Sequence, residues 1–259
     1  HLGCEEKTQW DIQPSDESFL IVDGILTNEQ KQQTVLLSLS NSEMNGELNY
    51  AENANLTVFD GENTFQFLES DSEPGLYLSE TEFSGVVNRT YELLIEFEDQ
   101  SYFASAEMFP VSISDPLPYV QLEDTNLYFI AADQYYFNPD ESFMAEVILD
   151  WSHVEGYDTL AEHETKAHMY YYHLTTIDVN QIFSPQTEQV LFPPGTYMIQ
   201  KKYSLSPEHE AFIRSLLSET QWHGGNFDLE EGNVYTNMSD GSLGFFAACS
   251  VIADTTFVN

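Results

Sequence analysis

Apolar and polar residues alternate with a period of two along much of the first 110 positions, the pattern of strands with one face in a core. In segment 34–40, Val35, Leu37 and Leu39 fall on one side. In segment 90–98, Tyr91, Leu93, Ile95 and Phe97 oppose Glu92, Glu96 and Glu98. Shorter apolar runs at 19–22, 56–59, 63–67, 76–78 and 102–104 are separated by Asp60-Gly61, Pro74-Gly75 and Asp99-Gln100, which read as tight turns. About seven short strands with regular turns predict an immunoglobulin-like β-sandwich over residues 18–110. The cysteine pair of antibody domains is absent from the sequence, so the expectation concerns architecture only.

The pattern changes after Pro110. Pro116 and Pro118 follow closely, and because proline fixes φ and cannot donate to a ladder, residues 111–118 read as a stiff extended linker. Residues 119–259 read as a β-rich (α+β) domain, with strands at 119–122, 126–130, 143–149, 167–174 and 195–199 and one clear helix near 207–222. Ser206 is a suitable N-cap and Pro207 a suitable first helical residue. Phe212, Ile213, Leu216 and Leu217 make an apolar stripe at helical spacing, and Gly224-Gly225 stops the helix. Residues 244–251 read as a buried terminal strand.

Composition sharpens this picture. Eighteen Phe, 15 Tyr and three Trp supply the apolar area that folding needs, so a disordered chain is not expected. Seven Lys plus Arg face 44 Asp plus Glu, for a formal net charge of -37. Phosphate binding needs clustered cations, so nucleic acid is excluded as a partner. Direct adsorption to anionic lipid is disfavoured for the same reason, and a membrane location would need a covalent anchor. The plainest role of such a surface is solvation. The sharper one is a field that draws in divalent cations or a basic partner.

Only two cysteines are present, Cys4 and Cys249. Three readings stand beside each other: lipid attachment at Cys4, a Cys4–Cys249 disulfide, and an accidental surface thiol. Gly3 suits the position before an acylated cysteine, whereas His1 does not suit the third position back. On the first reading, residues 1–17 form a lipoprotein tether. No run of about 18 apolar residues predicts a transmembrane helix.

Catalytic templates are not found. His163, His168 and His173 are spaced by five, which puts successive ligands on opposite faces of a strand and about 140° apart on a helix. His153 stands farther off, so no local metal site is expected, nor any cofactor, and the chain is not expected to be an enzyme. Carboxylates are too numerous for a catalytic pair to be singled out. The run Tyr170-Tyr171-Tyr172, with Tyr135-Tyr136, offers a ligand surface, but alternation sends half of such a run inward. Tyr170 and Tyr172 are the candidates there. In the closing block 232–246, Asn233 and Asn237 are further candidates for ligand contact. The preferred reading of that block is a turn that packs the last strand into the second domain.

Several stretches resemble a Bacteroidetes envelope family catalogued as domain of unknown function 4249. They are Cys4-Glu5-Glu6, the run Leu20-Ile21-Val22-Asp23-Gly24-Ile25-Leu26-Thr27-Asn28, Pro74-Gly75-Leu76-Tyr77, Thr90-Tyr91-Glu92-Leu93, and most of all the block 232–246. The second half is short for that family. The resemblance implies an outer-membrane lipoprotein, exposed at the cell surface, that accompanies a TonB-dependent receptor in nutrient uptake. It carries over no catalytic or ligand residue. Two alternatives from other classes are a structural or adhesive envelope module and a secreted hydrolase with an unrecognised carboxylate pair.

Overall fold

The computed structural model describes residues 18–41, 48–113, 115–131, 138, 140–175, 189–220 and 234–259. Among them the protein is mostly β, as the alternation predicts. The first sheet is built from β1 (Leu20–Thr27), β2 (Thr34–Leu39), β3 (Asn49–Tyr50), β4 (Asn55–Phe59), β5 (Thr64–Glu69), β6 (Leu76–Ser79), β7 (Thr90–Phe97) and β8 (Gln100–Glu107).

Strand order along this sheet is β1-β2-β6-β5-β4-β7-β8, with β3 beside β2. The halves β1-β2-β6 and β5-β4-β7-β8 form two layers of an immunoglobulin-like sandwich. Their inward residues make one core: Leu20, Val22 and Leu26 meet Val35, Leu37, Leu56, Val58, Leu93 and Ile95, all at most 1% exposed. Tyr91 adds a tyrosine corner at the start of β7, where its hydroxyl accepts a hydrogen bond from Val86 N at 2.7 Å. The Asp60-Gly61 turn forms as expected. Gly61 adopts φ +92°, and Asp60 Oδ1 accepts from the amides of Glu62 and Asn63.

The second sheet contains β11 (Phe143–Asp150), β12 (Lys166–His173), β13 (Tyr197–Ser204) and β15 (Val251–Phe257), in the order β12-β11-β13-β15, all antiparallel. The hairpin β9 (Tyr119–Gln121) and β10 (Tyr128–Ile130) lies with Leu117 and Phe192 against its inner face, on Val147, Leu149 and Met198. A four-residue turn of helix, α1 (Glu162–Thr165), which the pattern did not predict, leads directly into β12. The clear helix is α2 (Pro207–Thr220), capped by Ser206 Oγ accepting from His209 N at 3.1 Å. Residues 221 and 222, included in the expected helix, lie outside the described residues. Its buried stripe is His209, Ile213 and Leu217, whereas Leu216 is exposed and Phe212 half-buried.

The closing block overturns one expectation. Residues Ser242–Cys249 form β14, which pairs in parallel with β1, so this strand of the expected 119–259 unit belongs to the first sheet rather than the second. The reason is steric. Gly244 sits opposite Val22 at φ +88°, and a Cβ there would lie 2.0 Å from Val22 O, so only glycine permits the approach. Segment 237–239 runs along β8, with Ser239 and Phe103 exchanging hydrogen bonds, and Phe109 bridges Cys249. The strand thus fills the gap between the two ends of the sandwich.

The chain then crosses to the second sheet at Ser250 without a loop. Ser250 N donates to Ser204 Oγ and its hydroxyl donates to Phe109 O, while Val251 N donates to Asn28 Oδ1. Apolar residues from both sheets and from α2 fill the space around this crossing, among them Met144, Tyr203, Ile213, Leu217, Phe245 and Ala247. The proline segment is docked rather than free-standing. Lys202, only 2% exposed, donates to Ser112 O and pairs with Glu141 at 2.9 Å, and Leu117 N donates to Gln200 Oε1.

Candidate functional site on the outer face of the second sheet

Register decides what the outer face of the second sheet presents. Lys166, His168, Tyr170 and Tyr172 on β12 align with Asp150, Ile148, Glu146 and Met144 on β11. These align in turn with Tyr197, Ile199, Lys201 and Tyr203 on β13. The Met144–Tyr203 end is buried against α2 and the first sheet. The remainder faces water. Tyr170 is 48% and Tyr172 40% exposed, and Tyr197 and Phe257 on the far side are comparably open. Tyr171, between the two candidates, turns inward to the core of the second sheet, as alternation requires.

Glu146 organises the centre of this face. Its Oε1 lies 2.8 Å from His168 Nε2, and its Oε2 accepts from the Tyr203 hydroxyl at 2.6 Å. The His168 ring lies 4.9 Å from that of Tyr170. Burial, then the adjacent Glu146 carboxylate, push the Tyr203 hydroxyl far above its ordinary pKa. Tyr170 is raised too, by burial first and then by the charges of Glu146, Tyr172 and Asp23. Asp23 projects from β1 across the junction. It keeps contact with water, yet the surrounding protein raises its carboxyl above the ordinary range. Burial also works to raise Glu29, but hydrogen bonds from Lys201 and Lys31 outweigh it and hold that carboxyl low. Lys201 is therefore spent on Glu29, at 2.8 Å, and Lys166 on Glu162, at 2.9 Å.

At the α1–β12 corner lies an open depression of about 520 Å³ lined by Ile148, Glu162, His163, Lys166, Ala167 and His168. A spacing of five separates histidines only within a single helix or a single strand. His163 is on α1 and His168 on β12, so the change of element brings both to one depression. No group of three metal-ligating side chains is assembled among the described residues.

The remaining candidates fare differently. Asn237 has a structural role: its Nδ2 donates to Phe246 O and Ser105 O, and its Oδ1 accepts from Phe246 N, so the amide staples β8 to β14. Cys4, Asn233, Tyr135 and Tyr136 lie outside the described residues. Cys249 is a free, fully buried thiol 3.6 Å from His209 Nδ1. Burial pushes this thiol up to about 12 and His209 down to about 4, so the two are neutral core partners rather than a nucleophile and base. Sequence reasoning weighed His168 only as a metal ligand and missed Glu146 and Asp23, because the importance of all three lies in strand register; the alternation of β12 was the one available signal.

The profile of a family described as "Domain of unknown function (DUF4249)" matches residues 5–254. No curated protein matches the chain. A crystal structure of the chicken CNTN1 FN1–FN3 domains is similar at 12% identity, over 74% of this chain and 61% of that one, with a TM-score of 0.28. At that score the assignment of the sandwich rests on its strand order and tyrosine corner.

Proposed function

Because this chain belongs to the DUF4249 family, we propose that it is a non-enzymatic binding or accessory protein of the bacterial outer membrane, working beside a TonB-dependent receptor in nutrient uptake. The observation that carries the reading is the exposed aromatic face of the second sheet. Tyr170, Tyr172, Tyr197 and Phe257 stand in water on a packed scaffold, at an energetic cost that association would relieve. The titratable groups around them are paired off, His168 with Glu146 and Lys201 with Glu29, an arrangement that supports recognition over acid–base chemistry.

Attachment through Cys4 belongs to the same proposal. Cys249 is buried beside His209, which favours acylation of Cys4 over a bridge between the two. No helix among the described residues is long and apolar enough to cross a membrane. Intact protein isolated from native envelopes is expected to carry acyl chains on Cys4 by mass spectrometry and to bring a TonB-dependent receptor with it. Tyr170→Ala/Tyr172→Ala is expected to abolish that recovery while the protein stays folded. Recovery undiminished by the double variant would overturn this assignment of the binding face.

A further inference from the structure

We infer that β12 is a docking strand that accepts an extended, basic segment of a partner polypeptide as an added fifth strand of the second sheet. The inference rests on the reading of the outer face as the binding surface, and names the chemistry of what binds. Three observations converge on it.

The first is topological. β12 stands at the end of the order β12-β11-β13-β15, and among the described residues it pairs only with β11. About half of its backbone N–H and C=O groups therefore point outward in ladder geometry. The second is the lack of protection among the described residues. Folded proteins blunt such edges with proline, bulges, brevity or lysine. β12 is eight residues long, KAHMYYYH, with no proline, and its one lysine is at the first position, tied to Glu162 and Asp150. It pairs with β11 in unbroken register over its full length.

The third observation is charge. Exposed side chains alternate along the strand as His168, Tyr170 and Tyr172, giving an incoming strand aromatic rings for its own alternate side chains. Glu146 lies beside this row, and the whole chain carries a formal charge of -37. Arg or Lys side chains on the added strand gain both cation–π contact with the tyrosines and attraction to the carboxylates. A second copy of this chain would bring the same negative field and is repelled. Main-chain ladder bonds supply the affinity, and the rings and carboxylates supply the choice of a basic sequence.

The test uses the full chain and a fluorescent peptide of alternating lysine and valine, followed by anisotropy at low and high salt. Hydrogen–deuterium exchange is read at saturation. The expected result is binding that weakens at least about tenfold with salt, together with slowed exchange in residues 166–173. Tyr170→Lys/Tyr172→Lys should weaken binding at least about tenfold. The charge-matched pair Tyr50→Lys/Phe59→Lys, at exposed positions of the first sheet, should leave it unchanged. Equal loss from both pairs, binding without slowed exchange in β12, or self-association of the protein through β12 would each overturn the inference. The exchange readout on the unmodified chain stands even where a variant folds poorly. If Tyr170→Ala/Tyr172→Ala abolishes receptor recovery while the peptide leaves β12 exchange untouched, the binding face survives and only the strand addition falls.

Discussion

Acid should loosen this protein through His209, and the size of the effect follows from where that ring sits. His209 is 5% exposed, stacked on Phe245 with centroids 5.0 Å apart, at the seam where α2 meets both sheets. Burial lowers it from 6.5 to about 4. The folded value lies below the unfolded one, so as pH falls the unfolded chain takes up the proton first. The stability is held in full above about pH 6.5 and is lost progressively toward pH 4. The gap corresponds to about 3 kcal/mol when complete, and to about 2 kcal/mol at pH 5. Falling pH also neutralises carboxylates and relieves self-repulsion, so the raw pH profile mixes two opposing terms. His209→Phe keeps the stacking, removes the titration and leaves the other charges in place. Urea denaturation of both proteins between pH 7 and pH 5 isolates the difference. The wild-type protein should lose about 2 kcal/mol relative to the variant over that range. A difference that stays flat within about 0.5 kcal/mol would refute the account of His209 as a neutral core group.

Gly244→Ala drives a Cβ toward Val22 O at 2.0 Å in a backbone conformation of φ +88°, and should cost about 3 kcal/mol or more, read as a lower urea midpoint. Lys202→Met leaves Glu141 and the Ser112 carbonyl without their buried cation. It should cost about 3–5 kcal/mol, with much of that restored on adding Glu141→Gln, in the same denaturation assay. The Cys249 thiol, pushed up to about 12, should resist iodoacetamide at pH 8 until the protein is unfolded, as mass spectrometry of the alkylated protein will show. Tyr170→Ala/Tyr172→Ala removes half-exposed rings and should change stability by no more than about 1 kcal/mol while abolishing receptor recovery.

Much of the fold was legible in local pattern. Val35, Leu37, Tyr91, Leu93 and Ile95 are buried because alternation alone assigns them one side of a strand, and that side has to be the core. The helix was legible from Ser206 and Pro207, since capping is a local matter. Its stripe was read less well. His209 holds a buried position that a hydrophobicity pattern would not give to a histidine, because Cys249 and Phe245 receive its ring from another element.

The candidate site was half legible. Alternation placed Tyr170 and Tyr172 together and sent Tyr171 to the other side. It could not say which side meets water, because that depends on what packs against each face: the β9–β10 hairpin and Leu117 cover one, and among the described residues only the α2 end of the other is covered. Nor could it join Glu146 to His168 and Tyr203, which are neighbours only through register.

By itself the amino-acid sequence determined most strands of the first sheet with their inward residues, the capped helix and the strongly acidic surface, because these depend on neighbours a few positions away and on composition. Tertiary structure alone decided that Ser242–Cys249 would leave its own half and lie along β1, and that β12 would, among the described residues, end as an edge with tyrosines in water. Pairing between strands more than 200 residues apart depends on complementary shape, a glycine meeting a carbonyl at Val22, and period-two alternation is the same whichever partner a strand finds.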